Sequence, residues 1–217
     1  MSKIVIFGAG GRAGRRAAAE AVERGHEVTA VVRDPAKYGN LAAAGANVVA
    51  GDVTDADGVA AVSAGHDAAI SAVYRADVPA DDFYVSAANA LLAGLSQASV
   101  GRLVLVGIGT TLEVAPGTLV HDTPGFPEEG RTFSLGHLAG LEALRAAETE
   151  VDWLVVAPPP VVLDDEAGKT GSYRTGGSGM IPADESTPAF SYADLGVALV
   201  DEATTPTHHR SLVAIAD

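Results

Sequence analysis

Lys3-Ile4-Val5-Ile6-Phe7-Gly8-Ala9-Gly10-Gly11-Arg12-Ala13-Gly14 forms an apolar run that passes directly into a glycine-rich turn. The spacing Gly8-x-x-Gly11-x-x-Gly14, with Gly10 added, is typical of a turn between a buried strand and a helix. Such glycines let the backbone approach a pyrophosphate, and a helix that begins near Arg12 points free N–H groups at it. The stretch therefore predicts a dinucleotide-binding turn that includes Ala13; a tight turn that binds nothing is the alternative.

Beyond the turn, short β-branched runs alternate with alanine-rich amphipathic segments, which is the pattern of repeated βαβ units. The fold class predicted is α/β: a doubly wound parallel sheet (Rossmann) with a small loop-rich C-terminal substrate cap. We expect residues 1–217 to form a single domain, with residues 158–190 as a substrate-side flap because glycine and proline accumulate there. A helix should follow the turn, with Gly25 just past its end, and another should open at Ser191. Strands are expected near Ile4–Phe7, Glu27–Val32, Asn47–Ala50, Ala68–Ser71, Leu103–Val106, Trp153–Val156 and Leu212–Ile215.

Composition narrows the classes of function. The 217 residues have a formal net charge of −14, which would repel a nucleic-acid backbone. No apolar run reaches the ~20 residues of a membrane span, and the first strand leaves no room for a signal peptide. There is no cysteine, so thiolate chemistry and cysteine-ligated metals are excluded. We therefore expect a cytoplasmic protein that binds neither nucleic acid nor membrane and takes its redox chemistry from a bound cofactor.

Two further markers bear on which nicotinamide cofactor is bound. Arg33 directly follows the second strand, where a guanidinium can contact the 2′-phosphate of NADP together with Arg12, whereas Asp34 keeps NAD possible. Pairing of Arg33 with Asp34 or another surface acid is the alternative interpretation. After the third strand, Asp52 is placed to accept from the adenine amino group or to cap the next helix; Asp55 is also a good cap candidate, which leaves Asp52 freer for the base. The cofactor predicted is NADPH in preference to NADH.

These motifs, together with Gly51-Asp52-Val53-Thr54-Asp55, resemble the atypical short-chain dehydrogenase/reductase group. More narrowly, the chain is similar to NAD(P)H-flavin reductases, relatives of biliverdin-IXβ reductase and of NmrA-like proteins. Thr170-Gly171-Ser172-Tyr173-Arg174 and Ser191-Tyr192-Ala193-Asp194 extend the likeness toward the C-terminus. The cofactor contacts expected are Gly8, Gly10, Gly11, Arg12, Ala13, Gly14, Arg33, Asp52, Val53, Ala72, Val73 and Gly107.

One departure from the wider group bears on mechanism. Ketone-reducing members use Tyr-x-x-x-Lys to donate a proton, and no tyrosine and lysine of this chain have that spacing. A flavin, quinone or tetrapyrrole can instead be reduced mainly by stacking against the nicotinamide, because the acceptor delocalises the charge it receives. The sequence therefore favours a planar conjugated acceptor, with free flavin possible as a substrate.

Three residues are candidates for the catalytic site. Thr110 follows the fifth strand and can hold the carboxamide or substrate, or simply cap its loop. His137 matches a helix histidine of the biliverdin-IXβ reductase relatives and can donate a proton or orient an acceptor; a partly exposed helix histidine without function is the alternative. Tyr173 can stack on the acceptor while Arg174 meets a phosphate or carboxylate, or both can lie in an exposed hairpin.

His208-His209 has no neighbouring ligand cluster, so we predict a surface pair and no metal site.

The function predicted is an NADPH-dependent reductase that transfers hydride to a flavin, quinone or similar planar acceptor. A non-catalytic NADP-binding redox sensor of the NmrA-like kind is the first alternative, since the absent Tyr-Lys pair fits it equally. A biosynthetic reductase or isomerase of an aromatic substrate is the second. The predicted partner is a small molecule, and the chain is expected to be a monomer or a homodimer.

Overall fold

The fold is built on one large sheet and one small hairpin. The computed structural model describes residues 1–182 and 189–217. Its strands are β1 (Lys3–Phe7), β2 (Glu27–Val32), β3 (Asn47–Ala50), β4 (Ala68–Ser71), β5 (Arg102–Val106), β6 (Glu113–Ala115), β7 (Thr118–Leu119), β8 (Asp152–Ala157), β9 (Arg174–Thr175) and β10 (Ser211–Ala216). The main sheet has the order β3-β2-β1-β4-β5-β8-β10-β9, parallel except for β9, while β6 and β7 pair separately. This order is that of a doubly wound α/β fold.

Helices cover both faces of the main sheet. They are α1 (Arg12–Glu23), α2 (Gly39–Ala43), α3 (Ala56–Ser63), α4 (Ala80–Gln97), α5 (Glu128–Ala146) and α6 (Tyr192–Thr204). The apolar residues of α1, α2 and α6 share one core cluster with the sheet, and those of α3, α4 and α5 share the other. Strands covered on both faces must be apolar at nearly every position, which explains why β-branched runs located them so well in the sequence.

Chain order reverses at β1, which lies between β2 and β4 in the sheet. Ligands of open parallel sheets bind at the carboxyl ends of the strands beside such a reversal. The helix α1 approaches this edge closely, because a Cβ on Gly14 would lie 2.2 Å from the carbonyl oxygen of Gly8. A glycine at that position is therefore required for α1 to begin directly above the turn.

Most predicted elements are confirmed. The structure has all seven predicted strands, with ends that agree to within one residue, and Gly25 closes α1 with a positive φ of 80°. The hairpin β6–β7 and the short strand β9 were not expected. Backbone hydrogen bonds of Glu113 with Ser178 and Met180 link this hairpin to a segment about 65 residues later, so no local pattern revealed it.

Residues 158–190 were expected to form a substrate-side flap, but part of this segment packs against α1 and α6. A substrate cap is not confirmed. Asp165 contacts Arg15 on α1, and the ammonium of Lys169 lies 2.8 Å from a carboxylate oxygen of Glu20. The side chain of Asp194 on α6 accepts from the backbone N–H of Thr170. Residues 165–170 therefore lie along α1 and α6. Residues 183–188 of the predicted flap are outside the described residues.

A buried ion-pair cluster fastens the amino ends of the strands. Arg102, at the start of β5, donates to Glu202 at 3.0 Å and to Asp152 at 2.7 Å. His208 and His209, the predicted surface pair, lie 2.7 Å from Glu202 and Asp152 respectively, so each histidine contacts a different carboxylate. This cluster lies at the edge of the sheet opposite the glycine turn. It joins the last strand to the centre of the sheet.

Candidate active site

The glycine turn leaves the start of α1 open to a ligand. Gly8 has a φ of +74°, and a Cβ there would lie 2.4 Å from the carbonyl oxygen of Ala72 at the end of β4. Gly11 is the N-cap residue of α1 and has no side chain that could bind the first N–H groups of the helix. These groups and the helix dipole favour an anion at this point. The turn therefore fits the pyrophosphate of a dinucleotide, and bulkier residues would fill the space.

An open crevice begins at this turn. Eight of the twelve expected cofactor contacts line it: Gly8, Gly10, Gly11, Arg33, Asp52, Val53, Ala72 and Val73. Arg12, Ala13 and Gly14 follow in the first turn of α1, and Gly107 lines a second cavity beyond Val73. The structure thus brings together residues from the ends of β1, β2, β3 and β4.

Tyr38 forms a wall of the crevice that sequence reasoning missed. Its ring lies against the glycine turn, since a Cβ on Gly10 would come within 2.2 Å of the ring. The ring also packs against the apolar cluster beneath α1. Tyr38 precedes α2 in a loop with no regular pattern, so only the three-dimensional fold shows that it reaches Gly10.

Two arginines, Arg33 and Arg75, line the crevice. Arg33 is exposed, and within residues 1–182 and 189–217 it makes no hydrogen bond or ion pair. Asp34 does not hold it, because its carboxylate accepts from the Ala36 backbone and pairs with Lys37 at 3.4 Å. Arg75, a second crevice residue missed in the sequence, donates two hydrogen bonds to Asp77. Two guanidinium groups therefore border the crevice.

Asp55 does not make the capping hydrogen bond expected of it, and Asp52 is partly engaged within its own loop. Asp55 occupies the N-cap position of α3, yet its side chain makes no capping hydrogen bond. One oxygen of Asp52 accepts instead from the backbone N–H and the hydroxyl of Thr54, at 2.9 and 2.7 Å. These hydrogen bonds, with the charges of Arg75 and Arg33, lower the pKa of Asp52. Asp52 is an ionised crevice residue whose carboxylate is already held on one side.

Arg12 contacts the start of α6. Its guanidinium carbon lies 5.2 Å from the centre of the Tyr192 ring. Arg33 lines the crevice and Arg12 does not. That both arginines meet the 2′-phosphate therefore stays a prediction, which requires Arg12 to leave the Tyr192 ring.

The second, smaller cavity adjoins the crevice at Val73 and lies between the sheet and the helices α4 and α5. His137 and Thr111 line it with Gly107. Its walls are otherwise mostly apolar: Ser71, Val73, Tyr84, Ala87, Ala88, Leu91, Leu105, Val106, Gly140, Leu141, Leu144 and Val155. A flat apolar ligand would find few ionised groups here.

His137 belongs to an aromatic cluster at the mouth of this cavity. Its ring centre is 3.8 Å from that of Tyr84 and 4.9 Å from that of Phe133, which also contacts the exposed Tyr74. Burial lowers the pKa of His137 to about 3, so the imidazole is neutral at physiological pH. His137 is therefore unsuited to be a cationic proton donor, and its role in orienting an acceptor stays a prediction beside that of a histidine without function.

Thr110 lies in the helical turn Gly109–Thr111 that follows β5. Its hydroxyl is 2.8 Å from the hydroxyl of Ser134 on α5, a residue that the sequence analysis did not consider. Thr111 turns inward and donates to the carbonyl of Ile108. Thr110 keeps partial exposure but lines neither cavity, whereas the buried Thr111 lines the second one, so the catalytic role of Thr110 stays a prediction.

Tyr173 lies apart from both cavities. Its hydroxyl donates to Asp201 on α6 at 2.7 Å, and its ring packs on the core cluster beneath α1 and α6. Arg174 contacts Asp217 and the carbonyl of Pro182. The expectation that Tyr173 stacks on the acceptor is therefore not supported, because its side chain packs against α6 and lines neither cavity.

A search of the described ranges, 1–182 and 189–217, finds no helix long and apolar enough to cross a membrane. The same ranges hold no group of three histidine or carboxylate side chains suitable for a metal ion.

Comparison with known proteins identifies the family. The profile of the NAD(P)H-binding family matches residues 8–204, so the chain belongs to this family of nicotinamide-cofactor-binding proteins. It is 34% identical over 209 residues to YwnB of Bacillus subtilis, an uncharacterised protein, covering 95% of this chain and 94% of YwnB.

Two solved structures carry the likeness across the whole chain. The "putative exported protein" of Burkholderia pseudomallei superposes with a TM-score of 0.86 at 35% identity, covering all of both chains. The "putative NADH-flavin reductase" of Streptococcus pneumoniae gives 0.79 at 28% identity, again covering both chains fully. The predicted Rossmann fold and nicotinamide-cofactor family are confirmed, whereas cytoplasmic location stays a prediction.

Proposed function

We propose that this protein is an NADPH-dependent reductase that transfers hydride to a planar conjugated acceptor such as a flavin or quinone. The observation that carries the proposal is the apolar, aromatic-walled cavity that adjoins the cofactor crevice at Val73. The glycine turn and α1 would hold the pyrophosphate, and Asp52 would face the adenosine half. The bound nicotinamide supplies hydride to the acceptor.

The acceptor class follows from the chemistry of the cavity walls. Tyr84 and the neutral His137 line the cavity, Phe133 packs against both, and the ring faces and edges of the lining favour a flat ligand. A saturated alcohol or sugar needs a strong proton donor instead. The three lysines that could activate a tyrosine pair with carboxylates elsewhere: Lys3 with Glu27, Lys37 with Asp34, and Lys169 with Glu20 and Glu23. The name of the Streptococcus pneumoniae relative supports a flavin as acceptor.

The preference for NADPH rests on Arg33 and Arg75. Arg33 keeps its donors available at the crevice, and its charge, with that of Arg75, already acts on Asp52. A 2′-phosphate gains from these cations, whereas the ribose hydroxyl of NADH does not. We further propose that residues 1–217 act as one domain, as a monomer or a homodimer.

The test measures NADPH and NADH oxidation by the purified protein with FMN, riboflavin and menadione. Arg33→Ala should weaken NADPH binding about tenfold, the equivalent of one modest charge-assisted hydrogen bond, and leave NADH nearly unchanged. Lys37→Ala is the matched control, because it removes a neighbouring exposed cation that does not line the crevice. Cofactor binding without oxidation by any planar acceptor would reject the reductase, and equal effects of Arg33→Ala on both cofactors would reject the phosphate contact.

A further inference from the structure

Three side chains from three separate elements form one hydrogen-bonded chain behind the proposed acceptor site. The hydroxyl of Thr110 lies 2.8 Å from the hydroxyl of Ser134, and the latter lies 2.6 Å from Nδ1 of His121. Ser134 is on α5, and His121 is in the helical turn Val120–Asp122. Ser134 and His121 are buried, with 0% and 1% exposure, so only Thr110 reaches the surface.

The two ends of this chain differ in what they face. Thr110 stands at the carboxyl end of β5, next to Thr111, which lines the acceptor cavity. At the other end, Nε2 of His121 is 3.8 Å from the carboxylate of Asp122. Arg131 on α5 fixes that end, donating to the carbonyl of His121 at 2.5 Å and to the Asp122 carboxylate at 2.7 Å. The charged groups around the imidazole are thus one partly exposed carboxylate and one guanidinium.

The hydrogen atoms of this chain have two arrangements that matter for a proton donor. When Nδ1 of His121 lacks a proton, Ser134 donates to it, Thr110 donates to Ser134, and the Thr110 oxygen offers only lone pairs outward. When Nδ1 carries a proton, it donates to Ser134, Ser134 can donate to Thr110, and the Thr110 hydroxyl can then donate outward. A proton on Nδ1 of this buried histidine therefore allows the half-buried hydroxyl of Thr110 to act as a donor.

We propose that His121, through Ser134 and Thr110, relays the proton that accompanies hydride transfer. This inference rests on the proposed reductase function. The His121 imidazolium gives its Nδ1 proton to Ser134, Ser134 gives its own to Thr110, and Thr110 gives its own to the acceptor. The acceptor gains that proton and a hydride from the reduced nicotinamide, a gain of two electrons and two hydrogens, while His121 becomes neutral. Nε2 of the neutral imidazole keeps its proton, so after the product leaves, a proton from water returns to the bare Nδ1 through Thr110 and Ser134.

In this scheme Thr110 is the catalytic residue, and Ser134 and His121 act through it. The relay supplies the proton donor that the missing Tyr-x-x-x-Lys pair would otherwise provide. It also assigns a task to a buried histidine that packing alone does not require, since an apolar side chain of similar size would avoid the cost of a buried polar ring.

The test compares Ser134→Ala, which cuts the relay, with Thr123→Val. The control removes a hydroxyl that donates to the carbonyl of Val120 close to His121 but lies outside the chain. Ser134→Ala should lower kcat at least about tenfold with NADPH affinity unchanged, and reduce the solvent deuterium isotope effect on kcat. Thr110→Ser should restore most of the rate that Thr110→Val loses. Thr123→Val should behave as wild type.

A readout independent of turnover is the ¹⁵N NMR signal of the His121 imidazole. Ser134→Ala should shift the Nδ1 resonance and change its titration, whereas Thr123→Val should not. If Ser134→Ala leaves the Nδ1 signal or kcat unchanged while the wild type reduces an acceptor, the relay is wrong and the reductase stands. If the wild type binds NADPH but reduces no acceptor, the reductase proposal fails, and the relay is rejected with it.

Discussion

Gly14→Ala is the substitution that most directly tests whether α1 holds the cofactor. The added Cβ would lie 2.2 Å from the carbonyl oxygen of Gly8, 2.8 Å from its carbonyl carbon and 2.9 Å from Cα of Ala9. All three atoms belong to the backbone of the glycine turn, so no side-chain rotation can relieve the contact. The first turn of α1 must move away by about 1 Å, since such overpacking forces backbone shifts.

Two effects of known size follow from this shift. Overpacking costs about 1–3 kcal/mol, and alanine returns about 1 kcal/mol of helix propensity. The midpoint of thermal unfolding should therefore fall by a few degrees, about 2–4 °C for each kcal/mol lost. Cofactor affinity should suffer more, because losing one N–H hydrogen bond to a charged phosphate costs about 1.5–3 kcal/mol. The Kd for NADPH should rise about 10- to 100-fold.

The assay is NADPH titration by calorimetry beside thermal unfolding of the cofactor-free protein. Gly58→Ala on α3 is the control: its Cβ would meet only the side chain of Asp55, which can rotate away. Both variants gain the same helix propensity, so their difference isolates the backbone contact. If Gly14→Ala binds NADPH within about threefold of the wild type, the N-terminus of α1 does not hold the pyrophosphate.

Two further predictions concern the parts of the molecule outside the site. Burial alone would raise the pKa of Glu202, but hydrogen bonds from Thr207 and His208 outweigh burial and lower the pKa. The stability that ionised Glu202 contributes should therefore be present above the pKa of the unfolded chain and be lost as the pH falls through the lower pKa of the folded state. Urea unfolding between about pH 5 and pH 3 should show a steeper loss of stability for the wild type than for Glu202→Gln, and equal slopes would contradict this. Tyr173→Phe removes the hydrogen bond to Asp201, so it should cost about 1 kcal/mol in unfolding free energy and leave acceptor reduction unchanged. A large fall in kcat for Tyr173→Phe would instead return Tyr173 to the active site.

The elements of the fold were predictable because local sequence and burial agree there. The strands β1, β2 and β4 are apolar along nearly their whole length, as strands covered on both faces must be. The hairpin β6–β7 lacks this signal: its residues are exposed or half-buried, and its partner is the segment around Ser178. Elements that depend on distant backbone partners leave no periodicity in the sequence.

The backbone of the site was easier to predict than its side chains. A glycine turn at the end of a strand fixes where a phosphate can approach, which is why Gly8, Gly10 and Gly11 all line the crevice. A long side chain can reach several partners, and only the three-dimensional fold determines which of them lies near it. Arg12 could reach either a phosphate or the Tyr192 ring, and Tyr173 could reach either the acceptor or Asp201. Sequence spacing does not distinguish these destinations.

The ionised groups of the molecule are distributed in a way that bears on the proposed chemistry. The strong buried ion pair, Arg102 with Glu202, lies at the amino ends of the strands, where it stabilises the fold without facing a ligand. At the carboxyl ends, the neutral imidazole of His137 lines the second cavity, and His121 is linked to Thr110 through the hydroxyl of Ser134. Hydride transfer to a delocalised acceptor needs little fixed charge beside the ring, because the acceptor spreads the charge that it receives. A proton that arrives through Ser134 and Thr110 supplies the second hydrogen without placing an ion beside the nicotinamide. The hydroxyl chain would therefore do the work for which other reductases use a lysine-activated tyrosine.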